Sequence, residues 1–91
     1  MIEDVAKILK IDNFNSNASG DSITYTLDTD NDFGSVYTVL ESNDDFQESQ
    51  DNYMLNPTIA NLEYVYNNDY RIELKGNFDS NTYSVTITEK Q

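Results

Sequence analysis

Apolar and polar residues alternate with period two in several stretches of the chain. Ile23, Tyr25 and Leu27 share one face of Ser22 to Thr29, and Thr24 and Thr26 take the other. Successive side chains of a strand point to opposite sides, so this spacing predicts a half-buried strand. The last third repeats the pattern. Leu62, Tyr64 and Tyr66 alternate, Asn67-Asn68-Asp69 turns the chain, and Tyr70, Ile72 and Leu74 alternate again. After a second turn over residues 76–81, Tyr83, Val85 and Ile87 alternate with Thr82, Ser84, Thr86 and Thr88. These segments predict a three-stranded antiparallel meander. Ser35 to Glu41 is read as a further strand, joined to the first by a turn at Asp30 to Gly34 in a hairpin.

The N-terminal stretch has a different period. Ile2, Val5, Ile8 and Leu9 fall at helical spacing, with Glu3 and Asp4 in the first turn and Lys7 and Lys10 in the last. That charge order suits the helix dipole and predicts an amphipathic helix over Ile2 to Ile11. A helix of about ten residues is marginal alone, so it must pack on something. Asp12 to Asp21 reads as a loop. Ser42 to Asn52 is acidic, with Phe46 its only large apolar residue, and is compatible with a loop, a short helix or an exposed edge strand. Pro57 interrupts whatever Tyr53 to Asn56 forms. The expected fold class is α+β, a short N-terminal helix packed on an antiparallel sheet of about five strands that ends in the meander. Its 91 residues are expected to form a single domain, residues 1–91, with a limited core.

Composition narrows the chemistry. The chain has no cysteine and no histidine, which removes disulfides, thiolate metal sites, the commonest general base and the commonest zinc ligand. Serine and threonine are plentiful but lack that activating base. Seventeen acids guarantee accidental carboxylate pairs, so such pairs do not by themselves indicate glycosidase-type catalysis. The chain is read as a non-enzyme with no cofactor and no metal site. Asp28-x-Asp30-x-Asp32 has the spacing that opens a calcium loop, yet Phe33 falls at the glycine position and Val39 at the bidentate glutamate position. Starting from Asp30 places Glu41 correctly but puts Gly34 and Ser35 where a ligand and the glycine belong. A solvated turn is the preferred reading. Asn17-Ala18-Ser19 matches a glycosylation sequon, which means little without a secretion signal. No apolar run reaches membrane-spanning length, and Met1 to Lys10 does not read as a signal peptide. Cytoplasmic location is the default expectation.

Charge changes the picture most. Net charge is −12, and between Lys10 and Arg71 there is no Lys or Arg. Solubility needs a magnitude of only about 2–8 in a small domain. Asp28, Asp30, Asp32, Glu41, Asp44, Asp45, Glu48 and Asp51 crowd the middle of that interval. Such a field repels nucleic acid and anionic membranes and attracts basic proteins. On a strand, Asp28, Asp30 and Asp32 would stand in one row about 6.6–6.8 Å apart, a scale comparable to successive phosphates. Tyr25, Tyr64, Tyr70 and Tyr83 are expected in the core, whereas Tyr37 and Tyr53 are candidates for exposed partner contacts. The candidate partner-binding set is therefore these eight acids with Tyr37 and Tyr53.

A short chain without Cys, His or Trp, acidic throughout and built of a helix and an antiparallel sheet, resembles the small phage-encoded inhibitors of the DNA-mimic type, the anti-CRISPR proteins and uracil-DNA glycosylase inhibitors. The resemblance rests on overall character and on the tract from Asp28 to Asp51. It implies a stoichiometric inhibitor, most specifically an anti-CRISPR acting in the host cytoplasm, that occupies a basic nucleic-acid or PAM-reading surface of a CRISPR effector or similar enzyme. Two alternatives stand beside it: an immunity protein or antitoxin for a basic nuclease toxin, and a calcium-stabilised structural or adhesion module.

Overall fold

A computed structural model describes residues 1–49 and 58–90, and the backbone of 53–55. Its elements run α1 (Ile2–Ile8), β1 (Asn15–Ser19), β2 (Ser22–Leu27), α2 (Asp30–Ser42), β3 (Phe46–Glu48), β4 (Tyr53–Leu55), β5 (Ile59–Tyr66), β6 (Tyr70–Asn77) and β7 (Thr82–Glu89). All the strands join one antiparallel sheet in the order β1-β2-β7-β6-β5-β3, and β4 also pairs with β5. The last edge is thus shared: β3 pairs with Tyr64–Tyr66 and β4 with Ile59–Asn61. The α+β class and the closing meander β5-β6-β7 are as expected, with two more strands than the pattern indicated.

The meander forms because its apolar residues meet across the strands. Tyr64, Ile72 and Ile87 lie in register, as do Leu62, Leu74 and Val85. Every one of these six is buried. Its first turn has Asn67 and Asn68 at φ 51° and 64°, the type I′ geometry that matches strand twist, closed by the Asp69 amide donating to the Tyr66 carbonyl at 2.9 Å. Helices cover this apolar face, α1 with Ile2, Val5 and Ala6 and α2 with Phe33, Val36 and Leu40. The opposite face is open and hydroxylated. Ser22 bonds Thr88 at 2.8 Å and Thr24 bonds Thr86 at 3.0 Å across the β2–β7 pair.

Three segments differ from expectation. The first helix stops at Ile8, not Ile11. Lys10 adopts φ 63°, the Lys10 amide donates to the Lys7 carbonyl (3.1 Å) and the Ile11 amide to that of Ala6 (2.9 Å). This is a Schellman ending, and it buries Ile11 beside Ala6. The expected loop Asp12 to Asp21 contains β1, whose five residues are all exposed and so show no alternation.

The largest correction is Asp30 to Glu41. It is not a turn and a strand but the 13-residue helix α2. Phe33, Val36 and Leu40 bury one helical face, and the Ser35–Glu41 stretch only resembles a strand because it is rich in β-branched and aromatic residues. Thr29 starts the helix. Its hydroxyl accepts from the Asp32 amide at 3.2 Å, and the Asp32 carboxylate accepts from the Thr29 amide at 3.1 Å, a reciprocal capping box.

Packing of α2 requires Gly76. A Cβ there would lie 2.9 Å from the Phe33 ring and 3.2 Å from that of Tyr83. The bare backbone of β6 lets Phe33 seat edge-on to Phe78, with ring centres 5.2 Å apart.

Candidate functional site

The helix α2 distributes the candidate residues between its two ends. Thirteen residues at 1.5 Å each separate those ends by about 20 Å. Asp28 follows β2 and Asp30 opens the helix, both exposed. Asp32 belongs to the same end, but its carboxylate is spent locally, accepting from the amides of Asp28 (3.3 Å) and Thr29 (3.1 Å). The three aspartates therefore do not form a row on a strand. The chain direction changes at Thr29, and capping fixes one of the three carboxylates against its own backbone.

The other end gathers more charge. Glu41 lies in the last turn of α2, Asp44 and Asp45 follow in the turn to β3, and Glu48 ends β3 opposite Tyr64. All four are exposed. The last turn of α2 contains no basic residue, so the partial negative charge of the helix C-terminus adds to these carboxylates. Side chains and backbone set the geometry of the turn. The Asp45 amide donates to Asn43 Oδ1 (2.9 Å), and Gln47 Nε2 donates to the Asp44 carbonyl (3.0 Å). Neither bond uses a carboxylate of Asp44 or Asp45.

Tyr64 anchors this end. Its ring is buried under α2, and its hydroxyl donates to Glu41 Oε2. Burial pushes the phenol well above its ordinary range. The bond to Glu41 adds to that shift, and the charges of Glu41 and Glu48 and the neighbouring Tyr37 contribute further. The neutral phenol thus satisfies the Glu41 carboxylate without cancelling its charge. Tyr64 is legible in the sequence as a core residue, but not as the anchor of α2, because Glu41 is 23 positions away in a stretch whose composition favours a strand.

Tyr37, on the same side of α2 as Glu41, is 42% exposed. Tyr25 and Tyr83 are buried as expected, and Tyr70 is half-buried against the core. Asp51 lies outside the described residues, as does the side chain of Tyr53, whose backbone belongs to β4.

Counter-charges lie elsewhere. Glu73 bridges Arg71 (3.7 Å) and Lys75 (3.8 Å) on the open sheet face, and Asp4 meets the N-terminal ammonium at 3.3 Å. Asp28, Asp30, Asp44 and Asp45 form no ion pair among the described residues. Nor does any group of three or more carboxylates there converge as a bound metal ion would require. A hollow of about 530 Å³ opens between residues such as Thr26, Ile59, Lys75 and Ser84, and none of the candidate residues lines it. No helix among the described residues is long and apolar enough to cross a membrane. No family model, curated protein or solved structure matches the chain.

Proposed function

We propose that this protein is a stoichiometric inhibitor that binds the basic surface of a nucleic-acid-binding enzyme, most specifically a phage anti-CRISPR directed at a CRISPR effector. The observation that carries the reading is the uncompensated charge around α2. Asp44 and Asp45 are exposed and form no ion pair among the described residues, beside Glu41 and Glu48, in a chain with no Lys or Arg between Lys10 and Arg71. A surface of Lys and Arg that normally holds phosphates is the complement of such a patch. Charge complementarity would accelerate encounter, and Tyr37 would supply an aromatic anchor beside it.

The test is direct binding to a panel of purified CRISPR effectors and basic nucleases, with duplex DNA as competitor. The reading expects one tight complex, displaced by DNA and weakened steeply as salt rises. Replacing Asp44 and Asp45 by Lys is expected to weaken that complex by about tenfold or more, since it sets like charges against each other. A complex indifferent both to salt and to this double variant would overturn the reading.

A further inference from the structure

The two edges of the sheet are built differently. One is divided between β3 and β4, three residues each, and is flanked by Asp44, Asp45 and Glu48. Short strands and charge are the usual means of keeping another strand from adding to an edge. The other edge, β1, has none of these protections. Asn15–Ser19 carries no charge and no proline, its five-residue register with β2 runs without a bulge, and every residue is exposed. No strand among the described residues pairs with its outer side. The neutral stretch extends over residues 13–20.

A hollow of about 180 Å³ opens at the start of this edge, lined by Asn13, Phe14, Asn15 and Asp28. Phe14 is half-buried against the core and offers a fixed apolar wall. Asp28 is exposed, and its carboxylate has no ion pair among the described residues. An apolar wall and a carboxylate lining one hollow suit the alkyl stem and cationic head of one long basic side chain.

We infer that β1 is an acceptor edge for an extended segment of a partner protein, added as one more strand, with an arginine or lysine of that segment seated in the Asn13–Phe14–Asn15–Asp28 hollow. Charge selects this occupant over a second copy of the chain. Two copies would bring net charges of −12 together, whereas a basic segment meets Asp28 and the surrounding field favourably. Main-chain hydrogen bonds would supply affinity, and the hollow would supply selectivity. This surface stands on the sheet edge and its own cavity, independently of the acidic end of α2.

The probe is a synthetic peptide of alternating threonine and valine with one central arginine, compared with the same peptide carrying glutamate there. Both are titrated into isotope-labelled protein while amide shifts and hydrogen exchange are followed. The expected result is slowed exchange along residues 13–19 and amide shifts at those residues and at Asp28, with the arginine peptide bound about tenfold more tightly. Asp28→Asn should reduce the arginine peptide's affinity by about two- to fivefold, the range for an exposed ion pair, and leave the glutamate peptide no weaker. D44K/D45K should leave β1 binding intact, so failure here and failure of the inhibitor reading are separable. Three results would overturn the inference: no response at residues 13–19 up to millimolar peptide, equal affinity for the two peptides, or β1 protection that rises with protein concentration alone.

Discussion

The two faces of the sheet handle charge in opposite ways. On the open face Glu73 sits between Arg71 and Lys75, and hydroxyl pairs tie β2 to β7, so charge is locally balanced. On the helix-covered side, the C-terminal end of α2 collects Glu41, Asp44, Asp45 and Glu48 without a basic residue in the helix's last turn. The difference shows that a net charge of −12 is not spread as a uniform coat. Four of the seventeen acids gather where they oppose the helix dipole and one another. Self-repulsion of this kind weakens the compact state, which is intelligible if a partner's cations relieve it.

Breaking the helix-covered side should have the largest effect. Gly76→Ala pushes a methyl group into the Phe33 ring from the rigid backbone of β6, and is expected to cost about 1–3 kcal/mol in urea unfolding, as overpacked sites do. Gly34 is the control, since open space surrounds its Cβ position and its backbone is helical. There Gly34→Ala should instead stabilise by about 0.5–1 kcal/mol.

Tyr64→Phe sharpens the comparison by removing only the hydroxyl that holds Glu41. A loss of about 0.5–1.5 kcal/mol is expected, the ordinary net worth of one hydrogen bond. The same phenol gives a pH dependence. Its folded pKa lies above its unfolded value near 10, so its contribution is complete below about pH 10 and is lost as the pH rises through the folded pKa. Stability measured from pH 9 upward should therefore fall beyond pH 10, and more shallowly in Tyr64→Phe. Burial also raises the Tyr25 and Tyr83 phenols, so some decline should persist in the variant. The smallest effect belongs to the open face. Glu73→Gln dissolves two partly exposed ion pairs and should change stability by less than about 1 kcal/mol.

Much of this fold was legible in the sequence, for a physical reason. Strands β2, β5, β6 and β7 each bury one face and expose the other, so period two is written into Ile23–Leu27, Leu62–Tyr66, Tyr70–Leu74 and Tyr83–Ile87. Strand β1 buries nothing and leaves no period to read. Helix α2 was obscured because Ser35–Glu41 mixes valine, threonine and tyrosine with the helical spacing of Phe33, Val36 and Leu40. The decisive local signal was the capping pair Thr29-x-x-Asp32, just ahead of that apolar spacing. The helix also redistributes the candidate site. The acids from Asp28 to Glu48 are close in sequence, but α2 carries Asp28 and Asp30 to one end and Glu41 to Glu48 to the other. Spacing along the chain gives no hint that Tyr64 reaches Glu41 from a strand in the meander.

The central claim is that the carboxylates beyond α2 oppose the fold and serve a partner. Urea unfolding of Asp44→Asn/Asp45→Asn, beside the parent at low and at high salt, tests it most directly. The account predicts a variant more stable than the parent at low salt, with the gap closing as salt screens the repulsion. A variant less stable than the parent under both conditions would contradict it, because these aspartates would then be holding the structure together.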